Sequence, residues 1–314
     1  HDIFEEFYQG LQDDHGEPVH LTEYDRGDLE ERLLEQTRAS LADADIEFDD
    51  VFYERWLEQL LAGLATPDAN EYFGDGQPHQ GTDRGLFVRF LDAEYDDNDD
   101  VPAWFEVPMD FDDSEGGEIT VTTPDGRQIP VGGFIDRVSL REQDDGTIEG
   151  LVHDYKTSDP ETIQTIDGIE FQLPLYTLAT RAELTAQHGD VLGTVDGQFY
   201  VTEPPTDVTR KWSLQYYIER NDGTDEDYER FLTETVPSRV GAIADGIEDG
   251  AFQTTTLPPK EAGCHYCDYR DVCDVRHHQR QEIIQQMDQS GAPGYVPQRA
   301  RDGSFLDTIG GEDE

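Results

Sequence analysis

The chain has 314 residues, with 72 Asp and Glu against 22 Lys and Arg, a formal charge of −50, an isoelectric point near 4.1 and a mean hydropathy of −0.72. No run approaches the ~20 apolar residues that a spanning helix needs, which excludes a helical membrane protein. Hydrophobic content is only 35%, yet 15 Phe, 14 Tyr and 3 Trp fall in periodic segments, which argues for a folded protein with an extreme surface rather than for disorder.

In chain order, Ile3, Phe4, Phe7, Tyr8 and Leu11 have the spacing of an amphipathic helix. Further helices are expected over about 27–42, 49–64 and 83–94. After an Asp-rich loop at 96–100 the pattern turns to strands at 103–111, 118–123, 129–140 and 147–157. Gly116-Gly117, Asp125-Gly126 and Asp144-Asp145-Gly146 are the turn signals between them. A helix at about 170–187, strands near 195–202 and 210–218, and a long helix over 224–248 follow. A cysteine segment then leads into a last helix near 270–288, and a Gly/Asp/Pro-rich tail closes the chain. The expected fold is α/β: a central mixed sheet flanked by helices, with a helical region over 1–100, a core over 101–220, C-terminal helices with the cysteines over 221–290, and an acidic tail over 291–314.

The chemistry concentrates in one hairpin, Gly132-Gly133-Phe134-Ile135-Asp136-Arg137-Val138 and Leu151-Val152-His153-Asp154-Tyr155-Lys156-Thr157. With a three-residue loop centred on Asp145, paired residues have numbers summing to 290, so Asp136 faces Asp154 and Lys156 shares that face. A one-residue slip would put the two aspartates on opposite faces. Opposed carboxylates repel unless a cation lies between them, and Mg²⁺ accepts such oxygens while keeping waters. A lysine alongside can position water or stabilise charge on a phosphate, which points to metal-assisted phosphodiester hydrolysis. The competing reading is a salt-bridged hairpin with solvated Asp and Lys, although Lys156 is one of only three lysines, with Lys211 and Lys260.

At these residues the sequence resembles the PD-(D/E)XK nuclease superfamily, in its RecB/AddB-type branch. The branch pattern G-x-(I/V)-D-R-(V/I/L), D-Y-K-T and Q-L-x-x-Y is matched by Gly133 to Val138, by Asp154-Tyr155-Lys156-Thr157, and by Gln172-Leu173-Pro174-Leu175-Tyr176. The resemblance implies a restriction-endonuclease-like fold and a DNase, with exonuclease action expected, that uses Mg²⁺ or Mn²⁺. It implies a metal site of His1, Asp136, Asp154 and the carbonyl of Tyr155, and catalytic roles for Asp136, Asp154, Lys156, Gln172 and Tyr176. Glu106 stands in the preceding strand where relatives often carry a glutamate, as a candidate supporting acid. The DNA partner would be single strands or ends, and a helicase module would supply unwinding, since no G-x-x-x-x-G-K-(S/T) motif occurs. Arg137, Arg141, Arg210 and Lys211 are candidate DNA contacts.

Cys264, Cys267 and Cys273 are the only cysteines, and their odd, clustered count favours a metal site in a cytoplasmic protein over a disulfide framework. They resemble the C-terminal part of that branch's iron–sulfur motif, a [4Fe–4S] site whose fourth cysteine precedes the early histidine. A zinc site completed by His265, His277 or His278 is the alternative. The start at His1, within a helical pattern, suggests a segment of a longer polypeptide. The scarcity of lysine with dispersed Asp and Glu resembles proteins of extreme halophiles, whose molar salt shortens the Debye length to about 3 Å. Two other functions stay open: a non-catalytic DNA-gripping scaffold and a CRISPR-associated adaptation nuclease.

Overall fold

The computed structural model describes residues 2–43, 85–96, 99–111, 117–157, 162–168, 170–203, 207–210, 212–250 and 305–309. The expected helices over 49–64 and 270–288, and the cysteine segment, lie outside them. The chain divides into two units. The first comprises residues 1–117, 132–162 and 176–214, and the second residues 118–131, 163–175 and 215–314.

The first unit is built on a five-stranded mixed sheet, in the order β1-β4-β5-β6-β7. Its strands are β1 (Val101–Pro108), β4 (Phe134–Glu142), β5 (Ile148–Lys156), β6 (Leu192–Glu203) and β7 (Asp207–Arg210), while β2 (Glu118–Thr122) and β3 (Gln128–Gly132) form a separate hairpin. β5 and β6 are parallel, which requires a crossover, and the long connection between them carries α4 (Thr162–Ile166) and α5 (Gln172–His188). The other pairs in the sheet are antiparallel.

The β4–β5 register follows from its turn. Gln143 N–H donates to Thr147 O at 2.9 Å and Gly146 N–H to Gln143 O at 2.9 Å, while Asp145 Oδ1 accepts from Thr147 N–H at 3.0 Å. Gly146 has φ +82°, the left-handed conformation in which a three-residue hairpin loop uses glycine. The pairs Glu142–Ile148 through Arg137–His153 then all sum to 290. This is the register read from the sequence, so the next residues along, Asp136 and Asp154, are opposed.

α1 (Asp2–His15), α2 (Arg26–Asp43) and α3 (Leu86–Asp96) cover one face of the sheet. The periodic residues Phe4, Phe7, Tyr8 and Leu11 of α1 are all buried. Phe4 stacks on Phe90 with centroids 3.9 Å apart, Tyr8 stacks on Phe105 at 4.9 Å, and Tyr155 and Tyr200 rise from β5 and β6 into the same cluster. Burial of these aromatics, with the leucines of α1, α2 and α3, stabilises this layer. On the opposite face, an ideal Cβ at Gly150 would lie 2.5 Å from Leu184 Cδ1, so glycine at 150 permits the close approach of α5 to β5.

Two expected elements differ. The strand expected near 210–218 is replaced: β7 ends at Arg210, and α6 (Leu214–Arg220) buries Leu214 and Ile218, four residues apart, as one helical face. The expected strand 129–140 is divided at Gly133, which separates β3 from β4. In the second unit, the long helix over 224–248 exists as α7 (Asp225–Arg230) and α8 (Val236–Glu248), joined by a widened π turn at Phe231–Thr235. Val236 N–H reaches back to Phe231 O, and Pro237 follows. Proline has no N–H to give and its ring crowds the carbonyl four residues back, so the helix widens there instead of breaking. Thr224 and Asp227 form a capping box at the start of α7.

Candidate active site

Three adjacent strands place acidic residues side by side. Asp136 and Asp154 are the residues next beyond Arg137–His153, the last pair of the β4–β5 ladder, and Asp136 Oδ2 accepts the backbone N–H of Tyr155 at 2.7 Å. Asp136 is 7% exposed and Asp154 1%. The two carboxyl groups are close enough to hydrogen-bond each other. Lys156, two residues along β5, pairs its Nζ with Asp154 Oδ2 at 2.7 Å and remains a quarter exposed. The same ammonium lies 5.9 Å from the centroid of Phe199 on β6.

Glu106 on β1 falls between the Phe105–Arg137 and Val107–Ile135 pairs, which puts it opposite Asp136. It is a non-glycine residue at φ +43°. Such a conformation costs of order 1–3 kcal/mol and persists only where the surroundings impose it. The electrostatics follow from burying like charges together. Burial, opposed by Lys156 and reinforced by Asp136, pushes Asp154 up to about 7. Asp136 is also raised by burial, with the Tyr155 N–H working against the shift. Burial first, then Asp136 and Glu5, push Glu106 up to about 7.

The donors fit a hard divalent cation. Two buried carboxylates stand together, and a second positive charge beside Lys156 would relieve their repulsion. Among the described residues, no three His, Cys, Asp or Glu side chains converge as an ion site. Backbone oxygen, water or residues outside the described ones would have to complete the coordination shell.

Behind these acids, on the helical face, lies a charged network that the sequence did not reveal. Arg137 is fully buried and donates from Nη1 to Glu94 Oε2 at 2.6 Å and to the Tyr155 hydroxyl at 3.2 Å, and from Nε to Ser139 Oγ at 2.9 Å. Glu94 also accepts from the Tyr8 hydroxyl at 2.7 Å and from Arg210 Nη2 at 2.7 Å. Burial opposes ionisation of Glu94, but Arg137 and Arg210 together hold its carboxyl below the usual range. Arg137 and Arg210 are therefore structural cations, which corrects their reading as DNA contacts. Arg141 pairs with the buried Asp100 at 2.6 Å, and Lys211 lies outside the described residues. Glu94 escaped notice because an acid on an amphipathic helix ordinarily faces water, and only its position over β4 reveals its partner. His153 is completely buried, and burial and the neighbouring Arg137 hold its ring neutral.

The remaining expected residues are distributed as follows. Tyr155 turns its ring into the core, while its backbone N–H binds Asp136. Tyr176, on α5, is buried, and its ring lies 3.4 Å from where a Cβ would stand at Gly133. Gln172 is the first residue of α5, in the second unit, with its backbone N–H donated to Glu170 Oε1 at 3.1 Å. His1, Cys264, Cys267 and Cys273 lie outside the described residues.

The chain thus carries two neighbouring buried aspartates and an Asp-x-Lys on a central hairpin, inside a mixed sheet flanked by helices. A family model described as the PD-(D/E)XK nuclease superfamily matches residues 1–274, and the chain belongs to that superfamily. No curated protein matches the sequence. Among the described residues, no helix is long and apolar enough to cross a membrane.

Proposed function

We propose that the protein is a Mg²⁺- or Mn²⁺-dependent deoxyribonuclease that acts as the nuclease part of a helicase–nuclease, degrading DNA from ends during recombination or repair. The observation that carries this reading is the opposition of Asp136 and Asp154 with Lys156 paired to the second acid, in a chain of this superfamily. Asp136, Asp154, the Tyr155 carbonyl and His1 would hold the ion, which when bound supplies Lewis-acid polarisation of the phosphate and a lowered pKa for water. Lys156 would orient the attacking water or offset charge building on the phosphate, a role that its pairing with Asp154 supports. Glu106 supports Asp136 from the neighbouring strand. Gln172 and Tyr176, one turn apart on α5, orient the lysine and the DNA strand.

Without a Walker motif in the 314 residues, unwinding falls to a helicase module, in the same polypeptide or in a partner subunit. Cys264, Cys267 and Cys273 would serve as ligands of a [4Fe–4S] cluster, and iron and zinc analysis of the purified protein separates that reading from a zinc site. The dispersed acidic surface suits molar salt in the manner of extreme halophiles.

The test is digestion of end-labelled linear and circular DNA, single- and double-stranded, in molar KCl with Mg²⁺ or Mn²⁺. Cleavage that needs the metal and falls at least ~100-fold in Lys156→Ala is expected. Linear substrates should be degraded and circles spared. A folded, metal-loaded wild type that cuts none of them overturns the catalytic reading and leaves a DNA-binding scaffold.

A further inference from the structure

Phe134 opens β4 and is 54% exposed, whereas Ile135, Asp136 and Arg137 after it are buried. Alternation along the strand puts Phe134 on the face of Asp136, about 7 Å away, and pairing with Pro108 on β1 fixes its backbone. Among the described residues no ring packs against it, and more than half of its surface is in solvent.

The charge distribution supplies the second observation. Binding of nucleic acid usually draws on phosphate contacts from Arg and Lys, and these weaken steeply with salt. Here Arg137 and Arg210 are committed to Glu94, Lys156 is paired with Asp154, and the whole chain carries −50. A strand approaching this site must be held chiefly by interactions that salt does not screen. Stacking of a base on an aromatic ring is such an interaction, and it requires a base free of its duplex partner.

We infer that Phe134 is a positioning residue that stacks on an unpaired base of the substrate, so that the site takes single-stranded DNA and sets the scissile phosphate against Asp136 and Asp154. The inference rests on the nuclease reading of Asp136, Asp154 and Lys156. A ring on the first residue of a strand whose third residue is Asp136 places one base a single pleat from the acids, within reach of the adjacent phosphate. Duplex DNA, with its bases stacked internally, gains nothing from the ring until its end frays.

The experiment compares wild type, Phe134→Ala, Phe134→Leu and Phe134→Trp, each checked for unchanged thermal unfolding. Anisotropy in molar KCl follows the binding of three probes: a single-stranded oligothymidylate, the same length of abasic strand, and a blunt duplex. Steady-state cleavage is measured on the single strand. For Phe134→Ala, a roughly 5- to 150-fold loss of oligothymidylate affinity is expected, from the usual range for one stacked base. kcat/KM should fall by at least a similar factor, with a drop in kcat that reports the lost positioning of the phosphate; Phe134→Trp should restore affinity and kcat/KM, and Phe134→Leu should not. The abasic strand should bind wild type and Phe134→Ala equally weakly. Equal binding of oligothymidylate by wild type and Phe134→Ala, or no binding by wild type, overturns the inference. If wild type binds through the ring but cuts nothing, the nuclease reading fails while the stacking stands. Cleavage that Phe134→Ala leaves untouched fails the stacking and leaves the nuclease reading intact.

Discussion

Replacing Glu94 with Gln should destabilise the fold severely, although the residue touches no substrate. Glu94 and Arg137 are both completely buried, and Glu94 also neutralises Arg210 and accepts from Tyr8. The amide keeps the volume and can still accept hydrogen bonds, but it leaves the guanidinium of Arg137 in the core without a counter-charge. Breaking a buried ion pair on one side costs about 3–5 kcal/mol. For a domain of this size that corresponds to a fall in Tm of about 6–20 °C. The pH dependence adds a second signature. Because Arg137 and Arg210 hold Glu94 below its ordinary value despite burial, the unfolded chain binds its proton more readily. The stabilisation is fully present above the unfolded-state value near 4.5 and is lost as pH falls through the lower folded-state value. Circular-dichroism melting curves of wild type and Glu94→Gln, collected from pH 3.5 to 7 in the same high salt, measure both effects. Adding Arg137→Met should recover part of the loss, because a thioether needs no counter-charge. A single variant that melts within about 1 kcal/mol of wild type, or a double variant as unstable as the sum of its parts, would falsify the assignment of the pair as the keystone beneath the hairpin.

Two other outcomes follow from the same geometry. Burial and Asp136 push Asp154 up to about 7, so the folded state holds that proton more tightly than the unfolded chain does. In EDTA, stability should therefore decline as pH rises from about 4 to 7, and Asp154→Asn should flatten that decline. The same variant should lose both the Mg²⁺-induced rise in Tm and cleavage, and a pH profile identical to wild type would count against the carboxylate pair. Phe90 is completely buried between Phe4, Tyr155 and Tyr200, so Phe90→Ala should cost about 3–5 kcal/mol in a urea titration, with no change in the metal dependence of any remaining activity.

Short-range chemistry decided what could be read in advance. The Asp144-Asp145-Gly146 loop admits one tight turn, the turn dictates the register, and the register opposes Asp136 and Asp154. The period of Phe4, Phe7, Tyr8 and Leu11 marks the buried face of α1 in the same way. Residues 212–218 misled because Trp212, Tyr216, Tyr217 and Ile218 have the composition of a strand, while burial of Leu214 and Ile218 on one side selects a helix.

Sequence by itself therefore determined the hairpin register, through contacts within a few residues, and the family, through an ordered motif that carries the mixed sheet with it. Tertiary structure alone decided that Arg137 faces Glu94 and not DNA, and that Glu106 stands opposite Asp136 with a left-handed backbone. It alone decided that Phe134 stays in solvent beside the acids. The physical reason is that the side of a strand on which a charge lies is local, whereas what covers that side is set by helices tens of residues away. A buried arginine and a solvated one look the same in sequence until the partner across the core is in place.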